Sequence, residues 1–197
     1  MAHYDVIIAT PGHSMYTDYV DSLTKTIKEL EKKNISWKCI TSYCSYVSLA
    51  REYTFDKIGN DTYNKLFWID SDMSWEPEDF ISLYEEDKDI VTGVYLTTAY
   101  EIAAYKKDIK PVPRNEIART RDLIELIGCG FGFVCIKYGI NESMSKPLFR
   151  EISISDMYIH AEDASWCLRA ASHGYKIWLN PKVRVRHHKT MTLEWRG

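Results

Sequence analysis

Over its first hundred residues the chain alternates short apolar runs with longer stretches of helical period, and few folds accept that alternation. Tyr4-Asp5-Val6-Ile7-Ile8-Ala9-Thr10 reads as a buried strand, and Pro11-Gly12-His13-Ser14 stops it with turn residues. From Thr17 to Lys33, Tyr19, Val20, Leu23, Ile27 and Leu30 recur near the helical period with Lys and Glu opposite, which predicts a helix with those five turned inward. Ser36 to Thr41 gives a second strand, and Val47 to Ile58 a second helix ending near Gly59-Asn60. Lys65-Leu66-Phe67-Trp68-Ile69 is a third strand. Pro77 in the first turn and the acids Glu76, Glu78 and Asp79 open a further helix, and Asp89 to Thr97 is a fourth strand. Strands separated by helices must cross over and are covered on both faces. The expected fold class is therefore α/β, a mixed, mostly parallel sheet flanked by helices.

The second half is less regular. Tyr100 to Lys106 and Leu123 to Ile127 look like strands, separated by a loop with Pro111, Pro113 and Arg114. Gly128-Cys129-Gly130-Phe131-Gly132 sets alternate glycines where a close backbone approach or a bend is needed. Phe133 to Tyr138 is a strand or helix, Gly139 to Tyr158 reads as a mobile loop, and Ala161 to Ser172 is a helix closed by Gly174. Tyr175 to Leu179 and Val183 to His187 finish the sheet. At 197 residues the chain suits a single domain, with residues 1–97 and 98–197 as its two functional halves.

Composition excludes several classes. A net charge of −3 gives no sign of a nucleic-acid or membrane-surface protein. Cys39, Cys44, Cys129, Cys135 and Cys167 form no Cys-x-x-Cys pair and are odd in number, so reduced, buried thiols are expected rather than zinc or a disulfide framework. The first strand follows no basic, long apolar leader, and no apolar run approaches the ~18 residues of a membrane span. These features suggest a cytoplasmic protein, in which the sequons at Asn34, Asn60 and Asn141 are chance matches. Locally, Lys182, Arg184, Arg186, Lys189 and Arg196 face only Glu194 from Pro181 onward. That end suits either a small anion or a solvated edge.

Three patterns carry chemistry. Asp70 and Asp72 follow an apolar strand directly, and ligands of open α/β sheets sit beyond the carboxyl ends of the strands. One residue apart, in extended geometry, they would point the same way and share a cation or its waters. Glu162 and Asp163 open the Ala161 helix, where a helix dipole alone accounts for one of them. In Val183-Arg184-Val185-Arg186-His187-His188, alternation turns Val183, Val185 and His187 to one face, aiming His187 inward.

Together these residues resemble the GT-A fold glycosyltransferases, especially the small enzymes related to glycosyltransferase family two. Ile8-Ala9-Thr10-Pro11-Gly12 resembles the first nucleotide-binding strand and loop, and Ser48-Leu49-Ala50-Arg51 the ARN-like helix, although Glu52 stands where Asn is usual. Leu66 to Met73 resembles the DxD strand, Gly130-Phe131-Gly132-Phe133 the Gly-rich acceptor-side turn, Glu162-Asp163 the ED motif, and Pro181 to His187 the final strand with its metal-ligating His. The resemblance implies transfer of a sugar from a nucleotide-sugar, with UDP favoured, to an acceptor hydroxyl, with inversion. It implies Mn²⁺ or Mg²⁺ held by Asp72 and His187, and Asp70 acting through water or on the ribose. Thr10, Pro11, Gly12 and Ser71 would face the nucleotide, Gly130 the sugar, and Arg51 and Lys189 the diphosphate. Asp163 would be the general base and Glu162 a hydrogen-bonding partner of a hydroxyl. The Gly139 to Tyr158 stretch and the tail from Lys189 would cover the cleft.

Two rivals differ in class. Asp70-Ser71-Asp72-Met73-Ser74 also approximates the nucleophile motif of HAD-type phosphatases, with Asp70 as nucleophile, although that motif normally follows the first strand rather than the third. A non-catalytic nucleotide-sugar or glycan-binding module would stack sugars on Trp75, Trp166, Trp178 and Trp195, although core packing explains most of the 13% aromatic content.

Overall fold

The computed structural model describes residues 1–107, 109–155 and 158–189. Its strands are β1 (His3–Pro11), β2 (Trp37–Ser42), β3 (Thr62–Ile69), β4 (Met73–Ser74), β5 (Ile90–Val94), β6 (Ala104–Tyr105), β7 (Ile124–Leu126), β8 (Gly128–Cys129), β9 (Phe133–Lys137), β10 (Ile152–Ser155), β11 (Tyr158–His160), β12 (Ile177–Arg184) and β13 (Arg186–His187). Its helices are α1 (Thr17–Lys32), α2 (Val47–Asp56), α3 (Pro77–Glu85), α4 (Arg114–Arg119), α5 (Ile140–Ser143) and α6 (Glu162–Ser172).

The central sheet has seven strands in the order β2-β1-β3-β9-β5-β12-β7. β1 pairs parallel with β2 and β3, and β5 with β12, while β9 runs antiparallel between β3 and β5 and β7 antiparallel on β12. All strands of this sheet but β7 and β9 therefore point one way, the mixed, mostly parallel sheet that the alternation predicts. Side chains two apart share a face. Ile7, Ala9, Leu66, Trp68, Val134 and Ile136 meet Trp166 of α6 on one side. Val6, Ile8, Phe67, Ile69, Phe133 and Cys135 meet Tyr19 and Leu30 of α1 and Phe80 of α3 on the other. With both faces covered, apolar runs replace alternation in the strands.

α1 turns Tyr19, Leu23 and Leu30 inward as its apolar period suggests, but its buried stripe is partly polar. Ser22 and Thr26 lie inside, whereas Val20 is exposed. Ser22 Oγ accepts the Trp75 amide at 3.0 Å, and Thr26 Oγ1 accepts Trp75 Nε1 at 2.8 Å. The helix thus pins the segment that follows the acidic turn. α3 begins with a reciprocal cap between Glu76 and Asp79, as Pro77 and the acids imply.

The second half departs further. Of the expected strand from Tyr100, Ala104–Tyr105 pairs with β8 in a small antiparallel ribbon and Ile102 makes a single antiparallel bridge to Leu96, and α4 occupies part of the expected proline loop. Gly139 to Tyr158 is not one irregular loop: α5, Leu148 and Phe149 pack into the core, and β10 pairs with β11. Glu52 explains part of this. Its buried carboxylate accepts the amides of Leu148 at 2.8 Å and Phe149 at 3.1 Å, so the residue that departs from the ARN-like pattern anchors this segment. The five cysteines are free, three of them buried. Among the described residues no helix is long and apolar enough to cross a membrane.

Candidate functional site

Because β1, β2, β3, β5 and β12 point the same way, their carboxyl ends form one edge, and the loops there make a crevice. Two cavities meet in it. The smaller, about 240 Å³, is lined by Pro11, Gly12, Tyr43, Ser45, Ser71 and Asp72. The larger, about 540 Å³, is lined by Arg51, Tyr95, Gly130, Glu162, Asp163, His187 and Lys189. Asp70 and Val47 border both.

Gly12 packs on the acidic turn so closely that a Cβ there would lie 2.7 Å from Ser71 Oγ. Pro11 and Gly12 line the smaller cavity, Gly12 with its backbone alone. Thr10 does not: it is buried, and its hydroxyl is hydrogen-bonded to the Tyr19 hydroxyl.

Asp70 and Asp72 do not point the same way. The chain leaves β3 in a tight turn, closed by the Met73 amide donating to the Asp70 carbonyl at 3.0 Å, rather than in the extended geometry that alternation assumes. Asp70 turns to Arg51, with Nη2 donating to Oδ1 at 2.9 Å. Asp72 turns to the final strand, 3.3 Å from His187 Nε2 and 2.6 Å from Lys189 Nζ. The cause of this meeting is a short ladder: β13 pairs antiparallel with β4, setting His187 opposite Met73, and the His188 amide donates to the Asp72 carbonyl at 2.8 Å. His187 faces the site as its register implies, and His188 turns to Ser74 Oγ at 2.7 Å.

His187 Nδ1 lies 2.7 Å from the Leu96 carbonyl, which can only accept, so Nδ1 carries a proton and Nε2 is the free ligand position of the neutral ring. The hydrogen bond to Asp72 raises the His187 pKa from its ordinary value, outweighing burial. Burial acts to raise the Asp72 pKa, but hydrogen bonds and charge from His187 and Lys189 prevail and bring it down to about 2. An ionised carboxylate facing an imidazole nitrogen whose lone pair is free when the ring is neutral calls for a proton or a cation between them. These two donors fit a divalent ion such as Mn²⁺ or Mg²⁺. Among the described residues no third His, Cys, Asp or Glu converges with them, so the remaining positions would fall to phosphate oxygens and water.

Arg51 occupies another place than a diphosphate clamp. Its side chain is 3% exposed, lies 5.7 Å from the Trp68 ring and 5.5 Å from the Phe131 ring, and bridges Asp70 to Glu162, Nε to Oε1 at 3.2 Å. Nη1 is buried without a hydrogen-bond partner. Burial opposes its charge, yet Asp70, Glu162 and Asp163 together hold its pKa above the ordinary value. Burial raises the Asp70 pKa, against the Arg51 charge. Glu162, itself buried, is committed to Arg51 rather than presented to a hydroxyl. Asp163, half-buried at the first turn of α6, is less committed. Burial first, then the Glu162 charge, raises its pKa, a shift that strengthens a base.

Tyr95 belongs to the site without having been legible in the sequence. Its hydroxyl accepts the Gly132 amide at 3.0 Å, its ring meets His187 edge-on at 5.6 Å, and a Cβ on Gly130 would collide with it. The expected glycine bend is thus a wrapping around Tyr95. The basic residues near the end scatter: Arg186 faces Glu76 at 3.5 Å, Arg184 Nε donates to the Pro181 carbonyl at 3.2 Å, and among the described residues of this stretch Lys189 alone reaches the site. Arg196 and the tail beyond Lys189 lie outside the described residues.

No family model and no curated protein matches the chain. Solved structures do. A197 from STIV is similar over 100% of this chain and 99% of its own, at 18% identity and a TM-score of 0.56. GalNAc-T7, solved with UDP, GalNAc and Mn²⁺, is similar over 94% of this chain at 12% identity and a TM-score of 0.55. The chain spans 43% of GalNAc-T7. The catalytic domain of Drosophila β1,4-galactosyltransferase 7, solved with xylobiose, is similar over 96% of this chain and 71% of its own, at 10% identity and a TM-score of 0.55. At such identities the likeness concerns the fold, which this chain shares with A197 and with the two glycosyltransferases.

Proposed function

We propose that the chain is a glycosyltransferase that moves a sugar from a UDP-sugar to a hydroxyl, with a divalent cation on the diphosphate and inversion at the anomeric carbon. One observation carries the reading: the acidic turn after β3, the first turn of α6 and His187 of β13, far apart in sequence, converge on one crevice. The shared fold supports it, as does the UDP and Mn²⁺ bound by one neighbour.

Pro11, Gly12 and Ser71 would receive the nucleoside in the smaller cavity. Asp72 and His187 Nε2 would hold the metal, which when bound would neutralise charge growing on the departing diphosphate. Lys189 now neutralises Asp72, so metal binding would free its ammonium for a phosphate oxygen. Arg51 fixes Asp70 and Glu162 relative to each other, and with them the donor and acceptor sides of the crevice. Asp163 would take the acceptor hydroxyl's proton as its oxygen attacks from the face opposite the diphosphate. Asp70, engaged by a guanidinium, is poorly placed to serve as a phosphatase nucleophile.

A thermal-shift series with nucleoside diphosphates, with and without Mn²⁺, tests the binding half. UDP at about a hundred times its Kd should stabilise the fold by about 2.7 kcal/mol. For a chain of this size that is a rise of roughly 5 to 10 °C. No shift with any nucleoside diphosphate would contradict the reading. For the chemistry, Asp163→Asn should retain UDP and Mn²⁺ binding while turnover falls roughly 10²- to 10⁴-fold, and an α-linked donor should yield a β-linked product. Full activity in that variant would remove Asp163 as the base.

A further inference from the structure

The larger cavity is polar at the acidic turn and at the α6 N-terminus, and mostly apolar beyond them, with the hydroxyls of Thr97, Thr98 and Tyr105 as the polar exceptions. α6 contributes Ala164 and Leu168, four apart and so on one face of the helix, and its capping residue Ala161 lines the same cavity. Leu168 lies about 7.5 Å further along the helix axis than Asp163, at 1.5 Å per residue. Tyr105 and Ile127 continue that wall, because β6 and β8 pair and the Ile127 amide donates to the Tyr105 carbonyl at 2.9 Å. Ile109 completes it from a backbone with φ of 61°, a region that β-branched residues rarely occupy. Leu168, Ile109 and Val47 are 42%, 67% and 48% exposed, so an apolar surface stays uncovered beside the carboxylates.

We propose that the acceptor is an alcohol with an apolar body, an alkyl or aryl glycoside or a comparable lipid-like alcohol, rather than a free sugar or polysaccharide. Its hydroxyl lies at Asp163, and its apolar body runs along Leu168, Ile127 and Ile109. A free sugar carries hydroxyls on most of its edge, and along the Leu168, Ile127 and Ile109 side chains they would lose more hydrogen bonds to water than the Tyr105 hydroxyl could replace. An apolar body instead gains from every methylene taken out of water. The cavity is continuous from Asp163 to Leu168, so one molecule can satisfy both ends. This proposal rests on the glycosyltransferase reading, from which it takes the place of the reacting hydroxyl.

The test is calorimetric binding of n-octyl β-D-glucopyranoside against methyl β-D-glucopyranoside, below the micelle threshold, with UDP and Mn²⁺ present. Each methylene on the wall is worth about fourfold in affinity. The octyl glycoside should therefore bind at least about tenfold more tightly than the methyl glycoside. Leu168→Asp should remove most of that preference, whereas Val20→Asp, on the exposed face of α1, should leave it intact. UDP affinity, measured on each variant, reports that the fold and donor site persist. Equal affinity for the two glucosides while UDP binds overturns the acceptor class alone. A preference that survives Leu168→Asp overturns its placement on α6 and with it the proposal. Loss of UDP binding in the unaltered protein overturns the transferase reading, and the acceptor proposal falls with it.

Discussion

Replacing Arg51 by Met removes a positive charge from between Asp70 and Glu162 while keeping most of the side chain's length. Two hydrogen bonds to carboxylates are lost, at 2.9 Å and 3.2 Å. Hydrogen bonds to charged groups are worth about 1.5 to 3 kcal/mol each, and stripping a buried ion pair of one member costs about 3 to 5 kcal/mol. The two partners are not equally vulnerable. The Glu162 side chain is 8% exposed and would be left charged and dry, whereas Asp70 is 31% exposed and water would replace part of what it loses. The expected destabilisation is therefore about 3 kcal/mol, nearer the lower limit of the buried-pair range. For a chain of this size that lowers the melting temperature by roughly 6 to 12 °C. Neutralising the stranded acid should repair much of this, so Arg51→Met combined with Glu162→Gln should be less destabilised than the sum of the single variants by about 1 to 3 kcal/mol. Urea unfolding of the four proteins completes the cycle. Additive effects, or an Arg51→Met variant within about 0.5 kcal/mol of the parent, would refute the view that Arg51 ties the two acidic segments together.

Glu52→Ala should cost about 1 to 3 kcal/mol in the same assay, because it leaves the buried Leu148 and Phe149 amides without their acceptor; a neutral outcome would show that another group replaces it. Asp5 accepts from the Ser36 hydroxyl at 2.6 Å and the Ser36 amide at 2.8 Å, and these bonds first among the causes hold its pKa below 3.8. A depressed carboxylate stabilises the fold above its unfolded value, and that contribution disappears as pH falls through the lower folded value. Asp5→Asn should therefore be less stable at neutral pH and lose less stability on acidification below about pH 4, as followed by circular dichroism. Identical acid transitions would contradict the assignment.

The parts of the fold that were legible in the sequence are those set by local period. β1, β3, α1 and α6 lie where apolar runs and helical spacing put them, and five co-directed strands follow from that alternation. The register of His187 was legible for the same reason, since Val183 and Val185 are buried beside it. What was missed depends on distant partners. α4 is six residues long, too short for a periodic signal. Ser22 and Thr26 are inside because they hydrogen-bond Trp75, some fifty residues away in sequence. The divergence of Asp70 and Asp72 follows from a turn that spacing alone does not disclose, and Arg51 is buried because two acids and two aromatic rings surround it. A Glu in place of the usual Asn at position 52 was the one local sign of the Leu148 anchor.

The most direct test of the metal-linked donor site is calorimetric titration of UDP into the protein with Mn²⁺, with EDTA, and in the variants Asp72→Ala, His187→Ala and His188→Ala. With Mn²⁺ the parent and His188→Ala should bind alike. EDTA, Asp72→Ala and His187→Ala should each weaken binding at least about tenfold, or about 1.4 kcal/mol. Unchanged UDP affinity under EDTA and in Asp72→Ala would contradict a metal between Asp72, His187 and the diphosphate, and loss of Mn²⁺ dependence in His188→Ala alone would move the ligand by one residue.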